Sequence, residues 1–150
     1  MGVKCIASFA LLVFVSLPAI AFAQSPSCPG IHVNILSIRN SKGTVDCALF
    51  DSPVGFPTEF LHSASSVMVL RVRNTQARCD FEDIRPGPYA LAVIHDENSD
   101  GKLNTNWLGI PTEGYGFSND AKALIAAPSF SAASFSYDGH GVVMTISLHY

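Results

Sequence analysis

The sequence carries little charge, and neither sign dominates. Charged residues make up 14% of the chain, with 9 Lys and Arg against 12 Asp and Glu. A protein that grips a phosphate backbone needs a basic stripe, so this composition excludes nucleic acid as an expected partner. Long segments of helical periodicity are missing, and no apolar run of bilayer-spanning length occurs after the first 23 residues. Zinc-type HExxH and HxH spacings, the GxSxG turn of serine hydrolases and a Lys-bearing phosphate loop are also absent. Trp occurs once, and there is no internal repeat or low-complexity tract.

The first 23 residues have a composition of their own. Lys4 precedes the uncharged apolar run "IASFALLVFVSLPAIAFA", which ends in Ala21-Phe22-Ala23, a small-x-small pattern. This reads as a signal peptide cleaved before Gln24, with an uncleaved anchor as the alternative. The remaining chain has 8 basic and 12 acidic residues, a net charge of −4. It is expected in the periplasm or outside the cell, with "QSPSCPG" (24–30) as a flexible lead and 31–150 as a single domain. Three of the four cysteines stay with it. Cys47 in "TVDCALF" and Cys79 in "ARCDF" both alternate onto apolar faces, which favours a Cys47–Cys79 disulfide; Cys28, in the lead, is the alternative partner for either.

Period-two alternation dominates the domain itself. "IHVNILSIRN" and "TVDCALFDS" read as a hairpin across "NSKG". "PVGFPTEFLHSAS" is a broken connection with one helical turn near Glu59. "SVMVLRVRN" and "ARCDFEDI" are the next two strands, and "RPGP" is a tight turn. "YALAVIHD" is apolar on both faces, which places it centrally. "PTEGYGFSNDAKALIAAP" reads as a long connection with a short helix over 120–126, and the last 22 residues read as a closing hairpin turning at Asp138-Gly139. The fold class expected is all-β: an antiparallel sandwich of about seven strands.

The stretch "HDENSDGKLN" carries the clearest chemistry. Asp96, Asn98 and Asp100 at alternate positions, followed by Gly101, reproduce the front half of a calcium loop, with the Lys102 carbonyl and Asn104 at the next two ligand positions. Trp107 stands where an EF-hand needs Glu, and no helices flank the loop, so it is not an EF-hand. A distant carboxylate must complete a Ca2+ site; Glu97, Glu113 and Asp120 are the candidates and Glu113 the first choice. The competing reading is a solvated polar turn, since Asp, Asn, Ser and Gly build turns unaided. Trp107, Tyr115 and Phe117 are candidate anchors for a protein or glycan partner, or else a cover over one end of the sandwich. His95 shares a face with Tyr89, Leu91 and Val93, so it is either a satisfied core histidine or a base.

The segments "CALFDSPVGFP", "PGPYALAVIHDENSDGKLNTNWLGIPTEGYGFSND" and "PSF" resemble a secreted bacterial family known as domain of unknown function family 2141. The resemblance implies a transthyretin-like (prealbumin-like) sandwich and a signal peptide, and brings no activity with it. Where the family pattern often has a later Asp in the loop, this chain has Asn104, which removes one charge from any metal site there.

Together these readings point to an exported β-sandwich that binds or interacts, with a working end over 95–120. The competing expectations are a hydrolase-type site around His95, Asp96 and Glu113, and a structural envelope or adhesion component.

Overall fold

The computed structural model describes residues 28–122 and 127–150; the expected signal peptide lies outside them. The strands are β1 (Ile31–Leu36), β2 (Thr44–Phe50), β3 (Ser66–Arg71), β4 (Ala77–Phe81), β5 (Gly87–Asp96), β6 (Gly114–Phe117), β7 (Phe135–Tyr137) and β8 (Val142–Ser147). Two four-residue helices, α1 (Phe60–Ser63) and α2 (Phe130–Ala133), sit in the connections, α1 at the helical turn expected near Glu59. Strands form two sheets, one ordered β4-β1-β8 and the other β3-β2-β5-β6, with β7 pairing the first residues of β5.

The inner faces of the two sheets close on one core. Ile31, Val33 and Ile35 of β1, Val45, Cys47 and Leu49 of β2 and Leu91 and Val93 of β5 are fully or almost fully buried there. These are the alternate positions of each strand, as a pleated ribbon with one face on the core requires. Cys47 of β2 and Cys79 of β4 are joined by a disulfide that ties one sheet to the other. Cys28 is the exposed free cysteine among the described residues. Every residue of β5 from Tyr89 to Asp96 is buried, so the strand that is apolar on both faces is indeed central and covered twice.

Connectivity departs from the sequence expectation. The β1–β2 hairpin does not form: β1 pairs β4 antiparallel and β8 parallel, while β2 pairs β3 and β5. The closing hairpin is absent too, because β7 joins β5 in one sheet and β8 joins β1 in the other. β3 and β4 likewise separate into different sheets. Two successive one-sided strands satisfy their apolar faces equally well edge to edge or across a core, and alternation records only which face is buried. The parallel β1–β8 pair also means that the sandwich is not purely antiparallel.

The stretch expected as a long connection holds β6. Gly114 and Gly116 face inward, where a β-carbon would meet the Tyr150 ring at 2.5 Å and Ile146 Cγ2 at 2.7 Å. Tyr115 exchanges backbone hydrogen bonds with His149 at 2.9 and 2.8 Å, so β6 is stitched to the chain that leaves β8. The "GYGF" alternation is therefore a strand whose inner face has no room for side chains. It ends in a 3-10 turn at Ser118–Asp120; residues 123–126 of the expected helix lie outside the described set.

Candidate functional site

The outer face of the larger sheet carries the second set of alternate positions: Asp46, Ala48 and Phe50 on β2, Ala92, Ile94 and Asp96 on β5, Tyr115 and Phe117 on β6. One end of this face is apolar. Phe50 meets Phe56 and Phe60 edge-on at 5.1 and 6.3 Å, and Phe56 meets Phe117 and Phe130 at 6.1 and 5.8 Å. Such edge-to-face pairs add to the burial of their surface. Beside them opens a cavity of about 440 Å³ lined by Phe60, Ile94, Leu103, Tyr115 and Phe117, with Lys102 at its margin. Tyr115 and Phe117 thus stand on a strand, half-buried.

The other end of the face is acidic. Asp46, Asp96 and Glu113 are 6%, 1% and 5% exposed. Asp46 lies opposite Ile94, and Asp96 opposite Thr44, so the two carboxylates are diagonal neighbours on adjacent strands; in such a pair the α-carbons are about 7–8 Å apart. Burial, and then the charges of Asp96 and Glu113, raise the Asp46 carboxyl above its ordinary pKa, against a contact from Thr44 that lowers it.

Asp96 and Glu113 organise the loop between β5 and β6. Asp96 accepts from the Asp100 and Gly101 amides at 3.1 and 2.6 Å, one on each carboxylate oxygen. Glu113 accepts from the Glu97 and Asn104 amides at 2.9 and 3.0 Å in the same way. Within the turn, Asn98 Oδ1 accepts from the Asp100 amide, and Asp100 Oδ1 from the Lys102 amide. The Asn98 and Asn104 side-chain amides donate to Asp100 Oδ2 at 3.1 and 3.2 Å. Gly101 takes φ +77°, the left-handed conformation the tight turn requires. The residues singled out in sequence therefore divide: Asp96, Asn104 and Glu113 converge at the loop base, while Asn98, Asp100 and Lys102 lie in its solvent-exposed outer turn. Among the described residues, no three His, Cys, Asp or Glu side chains form a ready-made ligating group.

Beyond the base the loop narrows to a stalk. Thr112 donates its amide to the Asn104 carbonyl, and Thr105 bridges Pro111. At the top, Asn106 donates its amide to the Ile110 carbonyl, and its side-chain oxygen accepts from the Leu108 and Ile110 amides at 2.9 and 3.1 Å. This holds Trp107, Leu108 and Ile110 outward, with 90%, 61% and 56% of their surface in solvent. Trp107 is thus a projecting side chain, apart from the cavity that Tyr115 and Phe117 line.

His95 points the other way. It is fully buried on the inner face, with Nδ1 at 2.7 Å from the Tyr150 hydroxyl and Nε2 at 2.9 Å from the Lys42 carbonyl. Asp96, the next residue on the strand, faces outward. His95, Asp96 and Glu113 therefore share no cleft, and neither His95 nor Glu113 lines the cavity. Around His95, the Arg39 guanidinium lies 4.4 Å from the Tyr150 ring centroid and pairs with Glu97. Against the desolvation that would raise it, hydrogen bonds from Arg39 and Asn40 hold the Glu97 carboxyl below its ordinary pKa.

Asp46 is the residue that sequence patterning did not single out. Its signal was available: a lone acid on the outer face of "TVDCALF", a strand apolar on both sides apart from it and Thr44. A buried carboxylate at such a position needs a partner.

A family model described as "Uncharacterized protein conserved in bacteria (DUF2141)" matches residues 33–145, which takes in all or part of every strand and the whole acidic loop. No curated protein and no solved structure matches the chain.

Proposed function

The chain belongs to the DUF2141 family of bacterial proteins, and on that premise we propose that it is an exported interaction domain, without catalysis of its own, that docks a partner through the tip of its β5–β6 loop. The observation that carries this reading is the exposure of Trp107, Leu108 and Ile110 on a stalk that Asn106 holds in shape. Three large apolar side chains projecting together cost solubility, and a pre-ordered tip loses little entropy when it docks. Trp is a frequent anchor in protein interfaces, and its aliphatic neighbours suit an apolar protein pocket better than the hydroxyls of a glycan. The apolar N-terminal segment and the Cys47–Cys79 disulfide support export, since disulfides persist in oxidising compartments. The inward-facing, doubly bonded His95 gives the hydrolase alternative no support.

Trp107 is the only tryptophan, so its fluorescence reports on the tip alone. The test titrates the protein with fractionated envelope proteins and, in a parallel arm, with cell-wall glycan fragments. Docking predicts a blue-shifted emission and protection from a soluble quencher with a protein fraction, both lost in Leu108→Ser/Ile110→Ser. Emission unchanged by every protein fraction overturns the reading, and a shift produced only by glycan replaces the partner class.

A further inference from the structure

Two buried side-chain oxygens have no hydrogen-bond partner among the described residues: Asp46 Oδ1 and Asn104 Oδ1. Asp46 lies at the acidic end of the outer sheet face, and Asn104 in the β5–β6 loop beside it. Asp46 is the diagonal neighbour of Asp96, and the Asn104 amide binds the Glu113 carboxylate. Orphaned buried acceptors are rare in folded proteins, because an unpaired polar group carries its full desolvation penalty. Here both orphans are oxygens, and they flank two further buried carboxylates. Among the described residues no Lys or Arg forms an ion pair with Asp46, Asp96 or Glu113. Arg71, placed on the same face opposite Thr44, is exposed.

We propose that this cluster is a calcium site in which Asp46 Oδ1 and Asn104 Oδ1 ligate the ion between the carboxylates of Asp96 and Glu113. An ionised carboxylate has about four acceptor positions. Asp96 and Glu113 each use two on loop amides, which leaves lone pairs for a metal. The donor set is all oxygen, mixes carboxylate with amide and has no imposed octahedral frame, which selects calcium over magnesium and over softer metals. Water and backbone carbonyls complete the six to eight oxygens that calcium takes. The ion would offset two of the three carboxylate charges and clamp β2 to the base of the β5–β6 loop. Asp46 comes from a strand outside that loop, so the site exists only once β2 and β5 are paired.

The experiment is calorimetric titration of the purified protein with calcium and with magnesium, together with melting curves in chelator and in calcium. Asp46→Asn, Asn104→Ala and Trp107→Ala are compared with the parent. Expected are one calcium per chain with Kd on the order of 10⁻⁴ to 10⁻³ M, and a melting temperature raised by roughly 5 °C in millimolar calcium. Asp46→Asn, nearly identical in shape, should melt higher than the parent in chelator, because it removes an uncompensated buried charge. It should also lose about tenfold or more in calcium affinity; Asn104→Ala should weaken binding without the gain in chelator. Trp107→Ala should keep the full calcium response, which separates this site from the docking tip. Absence of heat and of any thermal shift with calcium overturns the proposal, as does an Asp46→Asn protein that binds calcium like the parent or a parent that prefers magnesium.

Discussion

Gly43 and Asp96 meet through their backbones: a β-carbon at Gly43 would run into the Asp96 carbonyl oxygen and lie 2.7 Å from Glu97 Cα. Gly43 also takes φ +62°. The segment that switches sheets between β1 and β2 is thus pressed against the point where β5 gives way to the acidic loop. Gly43→Ala combines left-handed strain with a backbone collision, and is expected to cost at least about 2 kcal/mol in a urea denaturation series. Gly101→Ala is the control: φ is again positive, at +77°, but nothing lies within 4 Å of the added carbon, so the cost should stay near about 1 kcal/mol. Equal losses for the two would show that the Gly43 contact is not a real constraint.

The inter-sheet disulfide closes a separation of 32 residues. Restricting the unfolded chain over a loop of that length is worth about 3–4 kcal/mol in the chain-entropy model. Cys47→Ala/Cys79→Ala, read by denaturant midpoint against the parent, should lose an amount of that order. A loss below about 1 kcal/mol would mean that the two sheets hold together without the link.

His32 reaches across the smaller sheet. Its Nε2 lies 3.0 Å from the Cys28 carbonyl and its Nδ1 2.6 Å from Asp80 Oδ1. The Cys28 carbonyl first, and Asp80 second, raise the His32 pKa above its ordinary value of about 6.5. A folded-state pKa above the unfolded one means that the stabilisation is complete below about pH 6.5 and is lost as pH climbs through the higher folded value. Stability should therefore decline over that alkaline-going window, and His32→Gln should flatten the decline. Urea midpoints taken from about pH 5 to 9 decide it; a parent and a variant with the same profile refute the assignment.

Asn106 ties the tip together through a single side-chain oxygen. Asn106→Ala removes both acceptor contacts while the backbone pair to Ile110 remains. Amide exchange at Leu108 and Ile110 should quicken, and global stability should change by no more than about 1 kcal/mol, since the residue is exposed. Unchanged exchange at those two amides would show that the stalk alone fixes the tip.

Burial was legible in the sequence and partnership was not. Alternation placed Val45, Cys47 and Leu49 on the core, located the disulfide, and marked β5 as covered on both faces. Which strand lies beside which depends on contacts between distant segments, and a turn such as "NSKG" serves a sheet switch as well as a hairpin. The acidic loop was recognisable because its spacing is local. Asp46 was not, because its significance lies in a neighbour about 50 residues on, brought beside it only by strand pairing. Trp107, Tyr115 and Phe117 looked like one aromatic group, yet Trp107 projects from the loop tip into solvent while Tyr115 and Phe117 pair with β5 on a strand.

Among the described residues the first strand has the last one as a side-by-side neighbour, Ile31–Leu36 running along Val142–Ser147 in the same direction. A chain emerging from a ribosome, or threading a pore N-terminus first, holds β1 without that neighbour until almost everything else has appeared. Non-local pairings of this kind come slowly. Until Ser147 has emerged, β4 is the one sheet neighbour of β1 among the described residues, so the smaller sheet is the last part of the fold that can be completed.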